Sequence, residues 1–144
     1  MQAPYRLLYL LHTSRIGSPL GRYASEELSG IAVEQLFDRF GAFFEGDARH
    51  DVWLHSPRSQ GTVVLDRYDM LYAYGDLQAF GEALSRLGLS EVAAFAGPQV
   101  PRPHALHYYL EWDETEQDVL GALPWHRTAL RPEDVQHWSG PQTS

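Results

Sequence analysis

Histidine is the residue type in this chain with the widest range of chemistry, and seven histidines occur among 144 residues. A neutral imidazole can bind zinc or iron, and it can transfer protons near neutral pH. His104 and His107 are three residues apart, so they would share a face of a helix but diverge on a strand. A metal site would therefore draw on separate strands, with His55, His107 and Glu111 as the candidate ligands.

Other catalytic patterns are missing from the sequence, which has no cysteine, no HExxH motif and no GxSxG motif. Acidic residues cluster between positions 111 and 116. Asp113 and Glu116 have the spacing of a capping box, which explains them as the start of a helix. We predict no catalytic residue and no cofactor, and the alternative is a small metal-dependent enzyme that uses the His/Glu set above.

Tyrosine and tryptophan provide the stronger lead, because both are enriched at protein interfaces and several lie on segments with strand patterns. If the sheet leaves one face uncovered, that face would be mixed aromatic, polar and acidic. Its candidate binding residues are Trp53, His55, Tyr72, Tyr74, His107, Tyr109 and Glu111. The alternative is that half of these rings complete the core beneath the helices.

Charge and hydropathy narrow the class of partner. The net charge is -8 and the eleven basic residues are all arginine, spread singly along the chain, so direct nucleic-acid binding is not expected. An acidic protein suits a basic partner. No run approaches the roughly 18 apolar residues of a membrane-spanning helix, and the apolar run 7–11 is too short for a secretory signal. We expect a cytoplasmic protein that binds no membrane.

Hydrophobic periodicity places the candidate residues on strands. Residues 5–12 are apolar on both faces, which is typical of a central strand, and a surface loop is predicted for 13–23. The further predicted strands are 51–56, 62–66, 70–74, 91–96 and 104–112. The polar sequence DRYD favours a break between strands 62–66 and 70–74, and one long strand over both is the open alternative.

Three segments have helical spacing. The longest covers 25–44 with Ser29 as its favoured start, and the last covers 113–122. The middle helix runs from the N-cap Asp76 to Gly88, where Leu89 could complete a Schellman motif. Its predicted core residues are Leu77, Phe80, Leu84 and Leu87.

This pattern predicts a single compact α+β domain over residues 1–138 and a loose tail over 139–144. An antiparallel or mixed sheet of about five to six strands would be packed by one long and two shorter helices. From the long helix onward, the order of elements, the size and the acidic charge resemble the small chaperones of type III secretion, with an extra first strand. A ferredoxin-like split βαβ arrangement is the competing architecture.

The functional hypothesis is a non-enzymatic protein-binding module. It would be an adaptor, a chaperone-like protein or a toxin-immunity protein that uses an acidic, tyrosine-rich sheet face. Another protein is the expected partner, and a homodimer is one form of that interaction. A small-ligand sensor is a further alternative, and it requires a pocket that sequence does not reveal.

Overall fold

A computed structural model of the chain describes residues 1–93 and 111–135. These residues form an α+β domain with one sheet and three α-helices, as predicted. The strands are β1 (Arg6–Leu11), β2 (Gly21–Ala24), β3 (His50–Ser56), β4 (Gly61–Leu65), β5 (Leu71–Tyr74) and β6 (His126–Thr128). The helices are α1 (Gly30–Gly46), α2 (Leu77–Arg86) and α3 (Glu111–Ala122), and a 3-10 turn covers Pro132–Val135.

The six strands form one sheet in the order β5-β4-β3-β1-β2-β6, and each described pair is antiparallel. Since β2 and β3 both run against β1, they point the same way, and the passage β2–α1–β3 is a split βαβ unit. Leu10 and Leu11 are both fully buried although they point to opposite faces. This confirms that β1 is a central strand covered on both sides.

Helix α1 forms the main core with one face of the sheet, which we call the helix-covered face. Its side chains Phe40, Phe43 and Phe44 pack against strand residues that include Tyr9 and Val52. The Ser29 hydroxyl accepts a hydrogen bond from the Ala32 N–H at 3.1 Å, so the favoured start of this helix is confirmed. Helix α3 joins the same layer through the buried Val119. Among the described helices, none combines the length and the apolar character that crossing a bilayer requires.

The strands between α1 and α2 follow the predicted hairpins. Strands β3 and β4 pair directly, and residues 66–70 form a turn between β4 and β5, so the predicted break is confirmed. The Asp66 N–H donates to the Met70 carbonyl oxygen at 3.0 Å, and Asp69 has a left-handed backbone with φ of 65°. A polar residue at that position suits the conformation, because a large β-branched side chain would clash there.

Helix α2 has the predicted ends but not the predicted packing. The Gly88 N–H donates to the Ser85 carbonyl oxygen, and the Leu89 N–H donates to the Leu84 carbonyl oxygen. These two hydrogen bonds confirm the Schellman motif. The core assignment of Leu77 and Leu87 is wrong, since these side chains are 69% and 76% exposed. Periodicity identifies an apolar stripe but not its partner, and the core beside the sheet is already filled by α1 and α3.

Three further expectations differ from the structure. Glu111 and Trp112 were predicted to end a strand, but they begin α3, where Glu111 lies in an acid-rich first turn that favours a helix. Strand β2 occupies the end of the predicted loop 13–23 and pairs with β6, which has no apolar pattern to reveal it. Residues 91–93 form no strand, and the rest of the predicted strands 91–96 and 104–112 lies outside the described residues up to position 110.

Candidate functional site

Four of the predicted binding residues share the face of the sheet that is turned away from α1. Trp53 pairs with Val64, which pairs with Tyr72, and in the next row His55 and Tyr74 both pair with Thr62. Directly paired residues point to the same face, and Trp53 alternates with the core residue Val52. We call Trp53, His55, Tyr72 and Tyr74 the aromatic face.

The aromatic face is partly exposed and lies at the edge of the sheet. Tyr74 is 56% exposed on the edge strand β5, while Trp53, His55 and Tyr72 are half-buried. The His55 ring is oriented by a hydrogen bond of 2.8 Å between its Nδ1 and the Thr62 hydroxyl. The aromatic face therefore has one largely exposed ring, Tyr74, beside three half-buried rings, of which His55 is held in orientation by its hydrogen bond.

Two buried aspartates lie beside the aromatic face. Asp51 precedes Trp53 by two residues, so both side chains point the same way, and it is fully buried. Its Oδ2 lies 2.6 Å from Nε2 of His12, and its Oδ1 accepts the backbone N–H of Arg67 at 2.6 Å. Sequence reasoning missed this His12–Asp51 pair, because its members are far apart in the chain and no motif joins them.

Asp66 is the second buried aspartate, and it organises the turn after β4. Its Oδ1 accepts the backbone N–H groups of Tyr68 and Met70, both at 2.9 Å. Burial raises the pKa of Asp66, and the charge of Asp51 adds to the rise. Within the described part of the chain, Asp66 Oδ2 has no hydrogen bond of good geometry. The Tyr72 hydroxyl lies nearby, and burial together with the Asp66 charge raises the pKa of Tyr72 to about 12.

The raised pKa of Asp66 predicts the direction in which the free energy of unfolding changes with pH. The folded state binds this proton more tightly than the unfolded state does, so ionised Asp66 lowers stability above its folded pKa. In Asp66→Asn the amide keeps the oxygen acceptor, removes the charge and can donate to Tyr72, a hydrogen bond worth about 1 kcal/mol. We expect the free energy of unfolding at pH 7 to rise by on the order of 1 kcal/mol.

Urea denaturation at pH 7 and at pH 5 measures this effect, with the exposed Asp38→Asn on α1 as the control. The gain of Asp66→Asn over the native protein should shrink at the lower pH, where the native carboxyl is more often protonated. If Asp66→Asn lost as much stability at pH 7 as Asp66→Ala does, the charge of Asp66 would be needed and the expectation would be contradicted.

A separate buried network fastens the loop after β1 to α3. The Glu116 carboxylate accepts from the Ser14 hydroxyl at 2.7 Å, the Arg15 N–H at 2.9 Å and the Ser18 hydroxyl at 3.2 Å. The buried Arg15 guanidinium contacts Asp113 at 2.9 Å and Asp47 at 3.5 Å. The hydrogen-bond donors and acceptors of this network pair with one another, so we assign the network a structural role. The predicted capping role of Glu116 is wrong, since this side chain is fully buried against the loop.

His50 is buried in the core and is not available to a ligand. Its Nδ1 lies 3.3 Å from the Tyr9 hydroxyl, and its Nε2 lies 3.3 Å from the Phe44 carbonyl oxygen. Its ring centroid is 4.8 Å from that of Phe43. Burial lowers the pKa of His50 to about 4, so the imidazole is neutral over the physiological range.

The structure does not bring the described members of the predicted metal set together. His55 lies on the aromatic face, whereas Glu111 begins α3, which packs with α1 on the helix-covered face. His107 and Tyr109 lie outside the described residues. Within residues 1–93 and 111–135, no three histidine or acidic side chains are arranged to hold a metal ion.

Comparison of the chain with protein-family models, with curated proteins and with solved structures finds no match. The aromatic face and the charge around it are therefore the basis for assigning a function.

Proposed function

We propose that this chain is a non-enzymatic protein-binding module that presents its aromatic face to a basic partner. It would act as an adaptor, a chaperone-like protein or a toxin-immunity protein. The observation that carries the proposal is the placement of Trp53, His55, Tyr72 and Tyr74 on one face, in two adjacent rows beside an edge strand. Tryptophan and tyrosine dominate binding hot spots, because they bury much area for little loss of conformational freedom.

Electrostatics favour a cationic partner. The buried Asp51 and Asp66 lie beside the aromatic face, and the whole chain has a net charge of -8. An acidic field of this kind speeds the association of a basic protein and discriminates against acidic ones.

Helix α2 extends the surface offered to a partner. It follows β5 after two residues, and its apolar stripe is uncovered at Leu77 and Leu87. Leu89 and Val92, just beyond the helix, are also more than half exposed. Monomeric proteins rarely expose contiguous apolar patches larger than a few hundred Å². A second copy of the chain is one partner that could cover this stripe, which would make the module a homodimer.

The alternatives have different support. A metal-dependent enzyme is the weaker candidate, because His55 and Glu111 lie on different sides of the sheet. A small-ligand sensor is favoured by one specific observation, an apolar groove on the helix-covered face between α1 and strands β3 to β5.

Site-specific photo-crosslinking tests the proposed binding surface. A benzoylphenylalanine at position 74 would report partners of the aromatic face, and the same residue at position 31 is a matched control, since Ile31 is 70% exposed on α1. Irradiation in cells that naturally encode the protein should give an adduct of defined mass at position 74 and none at position 31. An adduct of twice the chain mass would show that the aromatic face binds a second copy of this acidic chain, which would contradict a basic partner. Equal labelling at both positions, or none at position 74, would contradict the proposal.

A further inference from the structure

The groove on the helix-covered face has the size of a small-molecule site. Its volume is about 340 Å³, within the range of roughly 300–1,000 Å³ that is usual for ligand pockets. One wall is α1, and the floor is formed by strands β3 to β5, beyond the part of the sheet that α1 and α3 cover most closely. The lining residues are Phe37, Gly41, Phe44, Glu45, Val52, Leu54, Val63, Leu65, Asp69 and Leu71.

The groove is apolar along its length. Seven of its ten lining residues have aliphatic or aromatic side chains. Along α1 the lining runs from Phe37 to Glu45, which at 1.5 Å per residue is about 12 Å. Gly41 lies in the middle of that wall, and the missing side chain there leaves room in the groove. A chain of about eight carbon atoms would fit this length.

The two charged lining residues, Glu45 and Asp69, lie at the same end of the groove. Glu45 follows Phe44, whose ring contacts His50 at the start of β3. The turn that contains Asp69 lies at that end too, because Leu65 and Leu71 flank it and Leu65 pairs with Val52. The C-terminal carbonyl groups of α1 add negative potential there, and the last turn of α1 carries no basic residue.

We propose that this groove binds a small cationic amphiphile. The apolar chain would lie along α1, and an ammonium or guanidinium head would lie between Glu45 and Asp69. The negative charge of the exposed Glu45 and the carbonyl groups at the end of α1 would attract a cationic head and repel an anionic one. This site is on the face opposite the aromatic face, so it is independent of the proposed protein-binding surface.

Isothermal titration calorimetry with n-octylamine tests the chemistry of the ligand. We expect saturable binding at pH 7 that is at least tenfold tighter than that of n-octanoate, which has a comparable chain and the opposite charge. Shortening the amine should weaken binding by up to about fourfold for each methylene group, the upper limit set by hydrophobic transfer.

Two glycine variants test the position of the site. A Cβ added at Gly41 or at Gly81 meets no atom within 4 Å, and both residues lie inside helices, so leucine should be accommodated at either position. Gly41→Leu would fill the groove and should weaken octylamine binding at least tenfold. Gly81→Leu makes the same change in α2, away from the groove, and should leave binding unchanged.

Reversing a charge tests the head group without depending on the groove-filling variant. Glu45 is exposed, so Glu45→Lys should fold, and its preference should shift from octylamine towards octanoate. Any of three results would overturn the proposal. These are equal binding of the amine and the carboxylate to the native protein, equal effects of the two glycine variants, and no saturable binding of octylamine at millimolar concentration.

Discussion

Replacing Glu116 by alanine is expected to lower the free energy of unfolding by about 3 kcal/mol. The carboxylate is fully buried and accepts three hydrogen bonds, from Ser14, Arg15 and Ser18. Alanine would remove all three and leave a cavity beside the backbone of the loop. The loop after β1 would lose these three hydrogen bonds to α3 and keep the ion pair between Arg15 and Asp113.

Two variants on the same helix make the Glu116 experiment specific. Glu116→Gln keeps one acceptor oxygen and nearly the same volume, so we expect it to lose less than Glu116→Ala. Glu114→Ala removes an exposed acid from the first turn of α3 and should change stability by no more than about 0.5 kcal/mol. Urea denaturation measures all three variants. Equal, small losses for Glu116→Ala and Glu114→Ala would show that the network does not stabilise the fold.

The native protein is expected to lose about 3 kcal/mol of stability through His50 as the pH falls from 6.5 to about 4. In the unfolded chain this histidine takes up a proton near pH 6.5, whereas burial keeps it neutral in the folded state down to about pH 4. The unfolded state therefore binds more protons in this window, and stability rises with pH. Below the folded pKa the loss is complete.

His50→Phe removes the titrating group while retaining a ring of similar size. We expect this variant to be less stable at pH 7, because Tyr9 loses its hydrogen-bond partner, but to show a flatter pH dependence between 6.5 and 4. His126→Gln, at an exposed position on β6, should keep the native slope. Asp66 acts in the opposite direction, so the comparison is clearest in the Asp66→Asn background. Parallel pH profiles for His50→Phe and the native protein would contradict the assignment.

Local patterns were sufficient to predict much of the scaffold. The helix ends at Ser29, Asp76 and Gly88 depend on residues within a few positions, and each cap forms as expected. Alternation along β3 also placed Trp53 and His55 on one face, because side chains of a regular strand change face at each residue. The register of β4 and β5 then brings Tyr72 and Tyr74 to that face.

Features that depend on distant pairing could not be predicted. The spacing of Glu116 predicts a capping residue. Its actual partner, the Ser14 hydroxyl, lies about a hundred positions away in the chain, so no local pattern reveals it. The His12–Asp51 pair is likewise formed only when β1 and β3 adopt their register. Leu77 and Leu87 have the spacing of core residues, yet spacing does not say whether a neighbouring element covers them. The groove arises from Gly41 and the uncovered strands, and it has no sequence signal of its own.

The central claim is that the aromatic face binds a basic protein. The most direct test is calorimetric titration of the partner captured at position 74 into Tyr74→Ala and into the control Ile31→Ala. Both positions are largely exposed, so neither change should unfold the protein. The account predicts that Tyr74→Ala raises Kd at least tenfold, about 1.4 kcal/mol, while Ile31→Ala leaves Kd unchanged. An unchanged Kd for Tyr74→Ala, or an equal loss in both variants, would contradict it.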